Sequence, residues 1–239
     1  MTFPKRLERL RRWDAEPVAV VGRAARALEP VLAEAARERP GRLTGLGWRG
    51  AAILARLDRR PGRLDRFATD RPMGLAFVDV VGFTTFTARR GDDAAIELVA
   101  LTQTLVEEAV ALGRGEMVKS FGDGFLLAFP SPSQAVRAAI LLARRAGSLR
   151  EVDPLSGVDL RIAVHAGRPA VVNDDLLGYD VNLTAHLLEH CEPGEVVVSA
   201  AAKEVAAQRL STVVFEAPRA VPVRGAPTDV EIFSARRTS

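Results

Sequence analysis

The chain is expected to fold as an α+β protein: a βαββαβ core with C-terminal additions, preceded by a small helical N-terminal region. Three observations point to this. Apolar runs of strand length alternate with longer segments whose apolar residues recur at three- and four-residue steps. A Gly122-Asp123-Gly124 turn separates two of the short apolar runs, which is hairpin chemistry. Composition also changes at Pro72: residues 1–72 carry 17 Lys and Arg against 9 Asp and Glu, a net charge of +8, whereas residues 73–239 carry a net −5.

In residues 18–39, after Pro17, Val18, Val21, Ala25, Leu28 and Leu32 give one apolar helical face, and Pro30 should kink or break it. Arg39-Pro40-Gly41 is a turn signal. A second short helix is expected over Gly50–Arg59, stopped by Pro61-Gly62, and Asp70-Arg71-Pro72 closes the region. The expected division is therefore a regulatory or linker region over 1–72 and one larger domain over 73–239.

In that domain Gly74–Val81 reads as a strand. Asp92–Leu112 reads as a long helix with Ile96, Val99, Ala100, Leu105 and Val110 as candidate core contacts. Glu116–Ser120 and Phe125–Phe129 form the hairpin. Pro132–Arg145 is helical with Ala135, Ala138, Ala139 and Leu142 inward. Val158–Ala166 is a strand, Gly178–His190 a helix, Glu195–Ser199 a strand and Ala200–Ala207 a helix. Thr212–Glu216 and Val230–Phe233 finish as strands. The first six elements have the order of a ferredoxin-like core.

Composition narrows the class. The single cysteine, Cys191, allows no internal disulfide, and a reducing, cytoplasmic setting is the expectation. No apolar stretch approaches the roughly 20 residues of a membrane span. The basic start MTFPKRLERLRRW lacks the apolar stretch of a secretory signal. A basic N-terminal region suits anionic lipid, nucleic acid or an acidic protein face. A solvated arginine-rich helical surface is the preferred reading, with no specific nucleic-acid partner and with membrane contact through the basic N-terminal region as the disfavoured alternative.

Two aspartates carry the functional argument. Asp79 lies inside the apolar Phe77-Val78-Asp79-Val80-Val81, where an ionised carboxylate costs several kcal/mol unless compensated. A salt bridge, a solvent-open strand end or a metal would each compensate it. Asp123 alone is an ordinary turn residue. In a ferredoxin-like sheet the first strand lies beside the hairpin, so the two carboxylates can converge into a hard-oxygen site for Mg²⁺ or Mn²⁺. The following Gly82-Phe83-Thr84 leads into a short helix whose free N–H groups suit a polyphosphate.

At this point the residues resemble a known family. FVDVVGFTTFT (77–87) and VKSFGDGFLLAF (118–129) are similar to the two metal-binding segments of class III adenylate and guanylate cyclases. LRIAVHAG (160–167) resembles the strand that follows, and DDLLGYDVNLTAHLLEHCEPGEVVVS (174–199) their substrate and transition-state segment. The resemblance implies metal positions at Asp79, Val80 and Asp123, with two Mg²⁺ or Mn²⁺ ions per site. Lys119 and Asp175 would read the purine and favour ATP over GTP. Asn182 would position the ribose, and Arg161 and Arg224 would meet phosphates. It further implies a head-to-tail homodimer with the site at the interface, making cyclic AMP for intracellular signalling.

One position departs from the pattern. The family places an arginine four residues after the asparagine, and here that residue is His186. An arginine is planar, permanently charged and bidentate; a histidine with an ordinary pKa is mostly neutral at pH 7. Either His186 is a weaker catalytic substitute, or the domain is a nucleotide-binding regulatory module or half of a heterodimeric cyclase. The active reading is preferred because Lys119, Asp175 and Asn182 are all present. His165 is expected to be structural, His190 with Cys191 too few ligands for zinc, and Trp13 and Trp48 packing residues.

Overall fold

The computed structural model describes residues 63–67, 69–152 and 159–238. The helices expected over 18–39 and 50–59, with Trp13 and Trp48, lie outside the described residues. The strands are β1 (Met73–Val80), β2 (Glu116–Phe121), β3 (Gly124–Phe129), β4 (Leu160–Gly167), β5 (Ala170–Val172), β6 (Asp175–Leu177), β7 (Val196–Ser199), β8 (Val213–Phe215), β9 (Arg219–Val221) and β10 (Val230–Arg237). The helices are α1 (Phe83–Arg90), α2 (Asp92–Leu112), α3 (Pro132–Val152), α4 (Tyr179–Leu187), prolonged by a 3₁₀ turn at Leu188–His190, and α5 (Ala200–Ala207).

The main sheet runs β2-β3-β1-β4-β7-β10-β8, with β9 on β10, and β5 and β6 form a separate hairpin. Its first four strands have the ferredoxin-like order, with β1 antiparallel to both β3 and β4. The β4–β7 pairing is parallel, and α4 makes the connection between them. Helices α2, α3 and α5 cover the back of the sheet, where Val78, Phe125, Phe129, Ile162 and Val198 meet Val106, Leu142 and Ala202. On the front, Leu75 and Leu126 pack with Leu176 and Val181, and Ala163, Val197 and Ile232 with Leu183 and Leu187. Both faces of β1 are thus covered, and the period of two puts Asp79 on the same front face as Leu75 and Phe77.

Three details differ from the sequence expectation. In α2 only Val110 of the expected core set is buried; Val99 and Leu105 are half-buried, Ala100 is exposed and Ile96 is 59% exposed. The inward stripe is Ala95, Leu98, Thr102, Val106, Ala109 and Val110. Apolar residues surround this helix on most sides, so periodicity did not fix its phase. Thr102 can face inward because its hydroxyl donates to the Leu98 carbonyl at 2.9 Å. Second, α3 runs to Val152 and β10 to Arg237, where Ala235, Arg236 and Arg237 pair with β8. Third, the β5–β6 hairpin and β9 have no counterpart in the sequence expectation. In α3, Ala135, Ala138, Ala139 and Leu142 are buried as expected.

The short segment before β1 also packs on the front face. Leu64 and Phe67 are buried among Leu75, Leu126 and Leu176. The Leu64 N–H donates to Asp174 Oδ1 at 3.3 Å, and Arg66 pairs with Glu116 at 2.6 Å. Among the described residues no helix is long and apolar enough to cross a membrane.

Candidate active site

Register places the two aspartates. Val78 pairs with Phe125, and Phe121 with Gly124, so the end of β1 lies against the tip of the β2–β3 hairpin. The turn is two residues long: Gly122 takes φ 63°, and Asp123 follows it. The Asp123 carboxyl is pushed above its ordinary value, first by burial and further by the negative charge of Asp79, against which its backbone hydrogen bond and Arg161 act. Asp79 and Asp123 therefore feel each other at the same mouth. Asp79 is also opposite Arg161 on β4, and the guanidinium donates to Asp79 Oδ2. Arg161 Nε is buried without a hydrogen-bond partner among the described residues. Two partly buried carboxylates that repel one another, with only one guanidinium between them, are a donor set suited to a divalent cation. Val80, next along β1, is buried on the back of the sheet, and only its backbone is available to the site.

Lys119 and Asp175 meet although they come from separate sheets. Lys119 Nζ donates to Asp175 Oδ2 at 2.6 Å and lies 5.1 Å from the centre of the Phe121 ring. Asp175 Oδ1 accepts from the Leu176 N–H at 2.7 Å. Asp175 opens β6 after a turn in which Asn173 and Asp174 have φ 51° and 57°. Such a turn needs positive φ at both central positions, which Asn and Asp tolerate better than other non-glycine residues. That Asn-Asp pair between two short apolar runs was the signal available in sequence for the missed hairpin.

Gly82 is the N-cap of α1 at φ 70°, with no side-chain cap. The first N–H groups of this helix, at Phe83 and Thr84, are thus unclaimed by any cap side chain. Gly82 and Thr84 are exposed and Phe83 is half-buried.

Helix α4 carries Asn182, exposed, and His186, half-buried. The imidazole Nδ1 of His186 donates to Glu189 Oε1 at 2.9 Å, and this hydrogen bond holds the exposed Glu189 carboxyl below its usual range. The charges of His190 and Arg224 add smaller effects in the same direction. His190 donates to the Pro222 carbonyl at 3.1 Å. Cys191 is buried, and burial pushes its thiol up to about 12; neither residue joins a group of three or more metal-ligating side chains among those described.

A cleft of about 510 Å³ is lined by Asp79, Lys119 and Asn182 with Phe77, Phe121 and Leu176. Asp123 and Arg161 adjoin it through Asp79, and Asp175 through Lys119. His186 and Arg224 are not among its walls. A larger cavity of about 700 Å³, lined in part by Arg144, Arg236 and Arg237, contains none of these residues.

On β4, His165 is buried. It faces Asp180 of α4 at 3.5 Å. The facing His165 imidazole is the largest influence lowering the Asp180 carboxyl below its ordinary value, opposed by burial and helped by the Arg168 N–H. A folded-state value below the unfolded one stabilises the protein above the unfolded pKa, and that stability is lost as pH falls through the folded value. Asp180→Asn is therefore expected to flatten the acid limb of the stability curve below about pH 4, measured by urea unfolding at several pH values. An acid limb as steep as the wild type's would contradict this.

Comparison with known proteins identifies the family to which the fold belongs. The model of the adenylate and guanylate cyclase catalytic domain matches residues 68–234. An adenylate cyclase of Streptomyces coelicolor is 31% identical over 140 residues, 59% of this chain and 35% of the relative. One from Streptomyces griseus is 32% identical over 142 residues, 59% and 34%. The chain thus spans about a third of the length of these curated relatives. Among solved structures, an adenylate/guanylate cyclase/hydrolase from Silicibacter pomeroyi superposes with TM-score 0.63 at 23% identity, covering 70% of this chain and 96% of that one. The adenylyl cyclase CyaB from P. aeruginosa gives 0.62 at 18% identity, covering 71% and 95%; at such identities the likeness concerns the fold. The chain belongs to the adenylate and guanylate cyclase catalytic domain family, the class III nucleotidyl cyclases.

Proposed function

We propose that the chain is an adenylate cyclase-like enzyme, converting ATP to cyclic AMP and pyrophosphate at the interface of a head-to-tail homodimer. The observation that carries this reading is the register that sets the Asp79 end of β1 against the Asp123 turn, beside a cleft walled by Asp79 and by Lys119, which pairs with Asp175. Curated relatives named adenylate cyclase support ATP as substrate.

In this reading Asp79, the Val80 carbonyl and Asp123 hold Mg²⁺ or Mn²⁺, two per site. Bound there, the ions would activate the ribose 3′-oxygen and neutralise the leaving pyrophosphate. The attacking 3′-oxygen forms a bond to the α-phosphorus and loses its proton to solvent; the bond from that phosphorus to the bridging oxygen breaks, and its electron pair leaves with pyrophosphate. Arg161, beside Asp79, would meet phosphate when a cation is bound, and the uncapped N–H groups of Phe83 and Thr84 would hold the polyphosphate. Lys119 donates to adenine N1, Asp175 accepts from the 6-amino group, and Asn182 orients the ribose. His186 meets the developing negative charge, and Arg224 is placed near phosphate. The two-fold interface lets one protomer's aspartates face its partner's α4. Residues before Met73 are proposed to be regulatory, and truncations should respect the packed Leu64 and Phe67.

Guanine presents a donor at N1 and an acceptor at C6, the reverse of adenine. Lys119→Glu combined with Asp175→Asn is therefore expected to shift the ATP-to-GTP preference by on the order of a hundred-fold toward GTP. The test is purified protein with Mn²⁺ and either nucleotide, with product identified by mass. An unchanged ratio contradicts the assigned purine contacts, and no cyclic product from the wild type contradicts the enzyme reading.

One observation favours a second reading. His186 is engaged by Glu189, an anion where transition-state charge must be offset. In that reading the domain binds nucleotide and metal but turns over little, as a regulatory module or as half of a heterodimer whose partner supplies the arginine. Tight nucleotide binding without product would select it.

A further inference from the structure

We infer that His165, with Ser199 and Asp180, is a positioning device for α4, and that it sets the catalytic placement of Asn182 through this helix. The inference rests on the cyclase reading above and adds residues to it that touch no substrate.

The geometry is a buried chain across three elements. Ser199 is the N-cap of α5 and accepts the Ala202 N–H at 3.3 Å. Its hydroxyl lies 2.8 Å from His165 Nδ1. His165 Nε2 faces Asp180 Oδ1 at 3.5 Å, and because a carboxylate only accepts, the proton of the neutral ring sits on Nε2 and Nδ1 accepts from Ser199. At that distance the contact is long for a hydrogen bond and acts mainly as an oriented electrostatic one. The other carboxylate oxygen, Oδ2, accepts the Arg168 N–H at 2.7 Å. Asp180 is thus held to β4 and to the residue after it by both oxygens. Gly167 makes room: a Cβ there would overlap the Asp180 side chain.

Helix α4 needs such a hold. Its N-cap, Gly178, contributes no side-chain cap, and Asp180 in its first turn is committed to β4 rather than to the helix's own N–H groups. Asn182 is two residues further along the same helix. A Ser–His–Asp sequence of this kind suggests a nucleophile, but Ser199 is only 2% exposed and His165 7%. No substrate reaches the hydroxyl, so the array acts by orientation.

A displacement of about 1 Å in a reacting group can cost on the order of a hundred-fold in rate. His165→Leu is therefore expected to lower kcat by about ten- to a hundred-fold with KM for Mn-ATP nearly unchanged, because the ribose and charge contacts act in the transition state. His165→Gln keeps a donor toward Asp180 and is expected to recover most of that loss. The deciding measurement is a double-mutant cycle. In an Asn182→Ala background, His165→Leu should cost little more, since its effect passes through Asn182. Additive losses, or a Gln variant as impaired as Leu, overturn the inference. Wild-type protein without turnover overturns the cyclase reading instead. Amide hydrogen exchange then decides the inference alone: His165→Leu, or Ser199→Ala if the Leu variant does not fold, should speed exchange in Tyr179–Leu187 while β1 and β3 stay protected. Unchanged exchange in α4 would overturn it.

Discussion

Asp79→Asn is expected to lower metal-dependent turnover by about a thousand-fold or more while leaving the fold intact. The side chain keeps its shape and its place on the front of β1, so packing around Leu75 and Phe77 is undisturbed. What disappears is the charge. Arg161 loses its carboxylate partner, and Asp123 keeps the upward push of burial but loses the smaller one from the Asp79 charge, while the site no longer holds two anions for a divalent ion. The comparison is kcat with Mn²⁺ for both proteins, each checked by thermal melting. Retained turnover in a folded Asp79→Asn protein would remove Asp79 from the site.

His186→Arg is expected to move turnover the other way, upward by about a hundred- to a thousand-fold. A preorganised guanidinium offers a fixed charge and a planar pair of donors, which an imidazole does not. The surroundings oppose the gain, because Glu189 lies one turn on and already binds His186 at 2.9 Å. An arginine there would be partly drawn to Glu189. The double variant His186→Arg/Glu189→Gln is therefore expected to exceed His186→Arg alone. Steady-state kinetics of the three proteins test this. No gain in either variant, with nucleotide still bound, would support the binding-module reading.

The parts of the molecule legible in the sequence were those fixed by local pattern. The apolar run of β1 and the Gly-Asp turn between β2 and β3 each declare themselves within a few residues, and their adjacency follows from the ferredoxin-like order. The His186–Glu189 contact is an i, i+3 helical neighbour. What stayed hidden depends on register or on elements too short to show periodicity. Asp79 and Arg161 meet because β1 and β4 align at one particular offset, and alternation alone gives a face but no offset. The pairing of Lys119 with Asp175 was implied by the family resemblance, but the hairpin that delivers Asp175 has three-residue strands, shorter than any reliable alternation. His165 and Asp180 are brought together by the packing of α4 on β4. In α2, apolar residues on nearly every side left the inward face to be chosen by tertiary packing, which selected alanines and Thr102 over Ile96.

The central claim is that Asp79 and Asp123 together hold divalent ions against a nucleotide triphosphate. The most direct measurement is a Mn²⁺ titration followed by electron paramagnetic resonance, with 3′-deoxy-ATP, which lacks the attacking hydroxyl and cannot cyclise. Wild-type protein is expected to bind Mn²⁺ together with the nucleotide, and Asp79→Asn/Asp123→Asn to bind at least about ten-fold more weakly. Equal Mn²⁺ binding by the folded double variant would contradict it.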